Sequence, residues 1–280
     1  MPPHTKPPHA DLSSSFNFAR PTDSWLLATG YFPRHSCLSL LCWLFAFTSS
    51  LFLLGCTNRP PNPVSDNVLF FVHGAGGDGP AYDGLIQGLR EGGVHDHIEA
   101  LQWGAPGPLL FLNFQNDTVH RAAEQKLADA MKAWRDNHPA ARINIIAHSA
   151  GCGVTLGALA LPQSPSAQTV ILLSPSVSPT YNLQPALENI TGQLHVFHSD
   201  QDNFFLSWRT STFGTYDNIR TQAAGHTGFD TTRLSPALRE KLIQHPRDES
   251  WAAQQNDGSH FGTTAKPFAQ KTLAPLLTND

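Results

Sequence analysis

Charge is scarce in this sequence, and what there is does not cluster. Only 14% of the 280 residues are Asp, Glu, Lys or Arg, and the formal net charge is −4. No basic run and no interleaving of basic and aromatic residues occurs, so nucleic acid is not expected as a partner. Cysteine is equally sparse: Cys37, Cys42, Cys56 and Cys152 are the whole set. No C-x-x-C pair is present, so a thiolate zinc site is not expected. Three of the four lie in or beside one apolar N-terminal stretch, which leaves Cys152 alone in the body and excludes an internal disulfide there. The phosphate-binding pattern G-K-[ST] is missing, and no internal repeat is evident.

What is present divides the chain unevenly. Residues 1–35 are rich in proline, serine and histidine without apolar periodicity. They read as disordered, or as lying upstream of the true start. Residues 36–56 hold an uncharged apolar run from Cys37 to Leu54, preceded by Arg34. A charged flank before such a run marks a secretory signal or a membrane anchor. The run ends in Leu53-Leu54-Gly55-Cys56, which resembles the bacterial lipobox. That resemblance implies cleavage before Cys56, lipidation of its thiol, and a place in a bacterial cell envelope, with an uncleaved anchor as the alternative. Residues 57–66 are polar and proline-rich, as suits an extended tether that does not pack.

From residue 67 to 280 the pattern is that of one globular domain, with 17 phenylalanines and 6 tryptophans in the chain to supply a core. Asn67–Val72, Ile98–Trp103, Ile143–Ala147, Thr169–Leu173 and Gln193–Phe197 read as strands, most of them continuously apolar. Helical spacing appears between them at Tyr82–Glu91, at Asp117–His138 with Asp117 as its cap, and at Pro185–Ile190. Alternating strands and helices predict a doubly wound, mostly parallel α/β sheet covered on both faces. Ile219–Ala223 is the expected last strand. The apolar stretch 104–116 reads either as a wall of a substrate cleft or as a loop packed on the core.

The segment Ile143-Asn144-Ile145-Ile146-Ala147-His148-Ser149-Ala150-Gly151-Cys152-Gly153 organises the rest. A buried strand stops at a serine between small residues, and a helix starts at once. Close approach of strand and helix requires that smallness. The segment resembles the nucleophile elbow of the α/β-hydrolase family, with Ala147 in place of the first glycine of G-x-S-x-G. The resemblance implies a compact fold with little or no lid, and Ser149 as nucleophile. It also implies an oxyanion hole from the loop His73-Gly74-Ala75-Gly76-Gly77 and the residue after the serine. The amides of Ala75 and Ala150 are the expected donors, with Gly76 as the alternative to the first.

A serine hydroxyl needs a base, and the base needs an orienting carboxylate. The family's chain order of Ser, acid, His places the acid in the turn His198-Ser199-Asp200-Gln201-Asp202-Asn203, at Asp202, with Asp200 as fallback. Two histidines follow. His226 comes soon after Ile219–Ala223. His260 sits in Asp257-Gly258-Ser259-His260-Phe261-Gly262, directly before a final helix marked by Ala269, Leu273 and Leu276. The family places its histidine in such a loop, so His260 is the expected base and His226 the fallback. Gly228–Gln255 would then be an insertion after the last strand. His73, His148 and Cys152 are expected to be structural.

The resulting expectation is a membrane-tethered serine hydrolase cleaving an acyl bond, first a carboxylic ester of lipid or other kind. It would work without cofactor or metal. Two alternatives stand: a hydrolase fold without catalysis, serving as a binding module, and a thioesterase or peptidase on the same triad. Oligomeric state is not legible in the sequence.

Overall fold

The computed structural model describes residues 58–105 and 112–278. The expectations for residues 1–57, including the apolar run and Cys56, lie outside the described residues, as does most of the apolar stretch between Gly104 and Asn116.

Six strands form a single parallel sheet: β1 Val68–Val72, β2 His97–Leu101, β3 Ile143–His148, β4 Val170–Leu173, β5 Leu194–His198 and β6 Leu242–Pro246. Their order across the sheet is β2-β1-β3-β4-β5-β6, and every neighbouring pair is parallel. The chain belongs to the α/β class with a doubly wound sheet, as the strand–helix alternation predicts.

Strand alternation explains the two cores. Val68, Phe70 and Val72 point to one face of β1, where Ile143, Ile145, Val170 and Leu172 join them under the helices Asp117–Asn137 and Ala150–Leu159. Leu69 and Phe71 point to the other face, with Ile146, Ile171, Leu173 and Phe197, beneath the helix Asp83–Glu91 and the C-terminal segment around Phe268 and Leu273. All five β1 residues are wholly buried. Burial on both faces is what a continuous apolar run without period-two alternation encodes.

Four details differ from the sequence reading. The last strand is β6, not Ile219–Ala223. Ile219, Arg220 and Gln222 are exposed, while β6 is a half-buried edge strand of mixed polarity that no apolar run announces. Gly228–Gln255 is therefore no insertion after the last strand; it contains the last strand and the helix Pro236–Lys241 that leads into it. The long helix is capped by Asn116, not Asp117. Asn116 is extended, and its side-chain oxygen accepts from the amides of Thr118 and Val119, while Asp117 is already helical. In the last helical segment a π turn over Ala269–Leu273 adds a residue to the repeat, so Ala274 and Leu277 are buried and Leu276 only partly so.

The start of the described chain is extended, as its prolines require, but it is docked rather than free. Arg59 pairs with Asp78 through both terminal nitrogens and with Asp83 through Nε at 3.1 Å. Asn62 bonds both the amide and the carbonyl of Ile98 on the outer strand. Proline-rich backbone has few donors of its own, so the polar side chains between the prolines make these attachments.

Candidate active site

Ser149 stands at the junction of β3 and the helix Ala150–Leu159 with φ 55° and ψ −123°. A non-glycine residue there carries strain of about 1–3 kcal/mol, held only where neighbours over-determine it. The Ser149 amide donates to Leu173 O at 2.9 Å, and the Ser149 carbonyl accepts from Ser176 N and Cys152 N. The strain is permitted by small residues. A methyl on Gly151 would lie 2.4 Å from the carbonyl oxygens of Val72 and His73, so only glycine lets the helix start this close to β1. Ala147 is completely buried in β3 and fits there. Cys152 is also fully buried; its thiol lies 3.4 Å from Ala147 O, and burial pushes its pKa up, consistent with packing rather than chemistry.

His260 approaches the serine from a loop 111 residues further along the chain. Its Nε2 is 3.0 Å from Ser149 Oγ, and its Nδ1 is 2.5 Å from Asp202 Oδ2. A carboxylate only accepts, so Nδ1 carries the proton in this pair and Nε2 presents its lone pair to the serine hydroxyl. Asp202 follows β5 and caps the π-helical turn Asn203–Arg209, where its other oxygen accepts from Phe205 N at 3.3 Å. Asp202 and His260 are both buried. The ring of Phe205 lies over the His260 imidazole, centroids 4.5 Å apart and 21° from parallel.

The structure thus brings Ser149, Asp202 and His260 together. It does not bring Asp200 or His226 to them. Asp200 is exposed and bonds its neighbour Gln201. His226 lies in the short helix Ala224–Thr227, and its buried Nδ1 has no hydrogen-bond partner. With Ile219–Ala223 not a strand, the placement that favoured His226 in the sequence disappears.

The loop after β1 abuts the serine. A methyl on Gly74 would lie 3.1 Å from both Ser149 Cβ and Tyr82 Oη. Ala75 is buried, and its carbonyl accepts from Asn113 Nδ2 at 2.9 Å. Among the described residues the amides of Ala75, Gly76 and Ala150 have no acceptor, whereas Gly77 donates to Gly74 O. Ala150 begins the elbow helix, where amides lack intrahelical partners and the helix dipole is positive.

A supporting chain of bonds went unread in the sequence. The Gly74 amide donates to Tyr82 Oη at 3.0 Å, and Tyr82 Oη lies 2.9 Å from His148 Nδ1. His148 Nε2 is 2.8 Å from the His260 carbonyl. That carbonyl can only accept, so Nε2 is protonated, Nδ1 accepts from the tyrosine, and every group is satisfied. Burial, with the nearby His260 adding to it, pushes the His148 pKa down to about 3, so its ring is neutral. Phe261 closes the set against the Tyr82 and His148 rings. Only the helical position of Tyr82 and the adjacency of His148 to Ser149 could have hinted at this network. Among the described residues no group of three or more His, Cys, Asp and Glu side chains is arranged to hold a metal ion.

The family model described as the T6SS Tle3 phospholipase effector domain matches residues 116–268, more than half of the chain. The chain belongs to this Tle3 family. The matched Tle3 stretch runs from the cap of the long helix past the histidine loop, so it contains Ser149, Asp202 and His260 and leaves Ala75 outside. Among solved structures the Tle3-family chain resembles Aspergillus fumigatus lipase B at 11% identity and TM-score 0.48, covering 80% of this chain and 56% of that one. It resembles an esterase of Pyrococcus furiosus at 14% identity and TM-score 0.45, covering 76% and 82%. It also resembles an α/β serine hydrolase without lid from Xanthomonas campestris at 13% identity and TM-score 0.43, covering 78% and 84%. No curated protein matches the sequence significantly. With its parallel sheet and elbow, this Tle3-family chain is a serine hydrolase of the α/β-hydrolase fold, in a family of ester-cleaving enzymes.

Proposed function

We propose that the chain hydrolyses carboxylic ester bonds of lipids through Ser149, His260 and Asp202. The observation that carries this reading is the unbroken line from Asp202 Oδ2 through His260 to Ser149 Oγ, 2.5 Å and then 3.0 Å. Ser149 Oγ attacks the ester carbonyl carbon while His260 Nε2 takes its proton. Asp202 stabilises the imidazolium and holds the ring in its tautomer. The amides of Ala75 and Ala150 donate to the developing oxyanion. Collapse of the tetrahedral intermediate expels the alcohol, which receives the proton from His260. Water, activated by the same nitrogen, then releases the acid and restores Ser149. The word phospholipase in the family's description supports a glycerolipid ester as substrate.

The apolar run before Cys56 and the lipobox-like ending support attachment to a bacterial envelope membrane, through lipidation of Cys56 or an uncleaved anchor. Replacing Cys56 by Ser tests it: lipidation requires release from membranes, and retention indicates a spanning anchor.

A fluorophosphonate probe tests the catalytic reading directly. It should label the wild-type chain and not Ser149→Ala. Absence of labelling in folded wild type would replace this reading by that of a hydrolase fold used only for binding.

A further inference from the structure

We propose that Arg209 takes the phosphate of the substrate, its guanidinium binding the phosphodiester of a glycerophospholipid whose ester lies at Ser149; this rests on the lipid-ester reading above. Arg209 ends the π-helical turn Asn203–Arg209, which Asp202 caps. Earlier in that turn Phe205 lies over the His260 imidazole, ring centroids 4.5 Å apart. Residues four apart in a helical turn share a face, so Arg209 stands about one turn beyond Phe205 on the side turned to His260. Its guanidinium lies over the Phe114 ring, 4.0 Å from the centroid. Phe114 follows Asn113, whose Nδ2 donates to the Ala75 carbonyl at 2.9 Å. Arg209 therefore joins two walls of the site: the turn that carries Asp202, and the segment that holds the loop after β1.

What Arg209 lacks points to an anion. Stacking uses the face of the guanidinium and leaves the N–H donors at its edge unused. Among the described residues no group accepts from them, and Asn203–Phe213 contains no Asp or Glu. Burial alone lowers its pKa to about 10, so it is charged at neutral pH with no carboxylate acting on it. Other arginines are satisfied. Arg59 is held by Asp78 and Asp83, and Arg90 by the carbonyls of Val94 and Asp96 and by Asn62. A charge carried out of water costs free energy unless an opposite charge meets it, and covering Phe114 needs no charge.

Two anions can reach such a guanidinium during ester hydrolysis: the phosphate of the substrate and the carboxylate of the released acid. The family's description as a phospholipase favours the first. A glycerophospholipid carries its phosphate on the same glycerol as its esters, and the planar fork of arginine matches two phosphate oxygens at once.

Two soluble esters that differ in one group test this: dibutyrylphosphatidylcholine, and dibutyrylglycerol, which lacks the phosphate. In the full chain, Arg209→Gln should lower the ratio of kcat/KM on the first to kcat/KM on the second about tenfold or more. Arg209→Lys, which keeps the charge but not the fork, should restore part of it. An equal fall on both esters, as loss of a packing contact on Phe114 gives, leaves the ratio unchanged and overturns the proposal. A second measurement needs no variant. Glycerophosphocholine should inhibit wild-type turnover of dibutyrylglycerol more strongly than butyrate does; equal or weaker inhibition overturns the proposal. The two readings fail separately. The phosphorus resonance of dibutyrylphosphatidylcholine should broaden when the Ser149→Ala chain is added, and not when Ser149→Ala/Arg209→Gln is added. Broadening that depends on Arg209, without turnover of any ester by wild type, supports the phosphate contact and counts against the hydrolase. Ester turnover with an unchanged ratio retains the hydrolase and overturns the phosphate contact.

Discussion

His148 donates from Nε2 to the backbone carbonyl of His260 across 2.8 Å, so the residue before Ser149 holds the loop that carries His260. The contact joins residues 112 apart in the chain. Through Tyr82 it continues to the Gly74 amide, so the elbow, the histidine loop and the loop after β1 share one buried set of bonds.

Tyr82→Phe should expose the value of that set. It leaves the Gly74 N–H and His148 Nδ1 unpaired in a buried site, at a cost of about 1–3 kcal/mol in unfolding free energy. Because Gly74 adjoins Ser149, kcat should fall more than KM changes. Denaturant unfolding and steady-state kinetics on a soluble ester check both.

The buried ring of His148 also predicts a pH dependence. Its folded pKa, about 3, lies below the ordinary value of 6.5. Between these values the unfolded chain binds the proton and the folded chain does not, so this contribution to stability is lost as pH falls from about 6.5 toward 3. In His148→Gln, which retains a donor for the His260 carbonyl, the slope of unfolding free energy against pH should be shallower by up to about 1.4 kcal/mol per pH unit.

Asp202→Asn should leave the fold intact by circular dichroism and lower kcat by roughly three to four orders of magnitude, because an amide no longer fixes the histidine tautomer or stabilises the imidazolium. Asp200→Asn should have no such effect. His260→Ala should abolish turnover and His226→Ala should not; the reverse result would reassign the base.

Two substitutions at the elbow separate shape from motif. Gly151→Ala places a methyl against the Val72 and His73 carbonyls, which are backbone and cannot swing aside. Melting should drop by about 5 °C or more, or soluble protein should be lost. Ala147→Gly restores the usual motif but removes a buried methyl from a strand. It should retain activity and cost roughly 0.5–1 kcal/mol.

Arg59→Ala should unpin the docked N-terminal stretch. It leaves Asp78, in the loop after β1, and Asp83 without their shared cation. Thermal unfolding should begin earlier, and hydrogen exchange should rise at residues 73–83.

The sequence by itself determined whatever is local or periodic. Apolar runs fixed β1, β3, β4 and β5 because strands buried on both faces need no other signal. Small residues around Ser149 marked the elbow because sterics act between near neighbours. Chain order placed Asp202 ahead of His260. The tertiary structure decided what depends on distant partners. It set His260, and not His226, between Ser149 and Asp202. It placed the last strand at Leu242–Pro246, whose mixed pattern becomes a strand only by pairing with β5. It made Asn116 the cap, docked Arg59, and joined Tyr82 to His148. These choices turn on hydrogen bonds whose direction and partner exist only once the sheet has brought the loops at its end together, and no periodicity in the chain encodes that meeting.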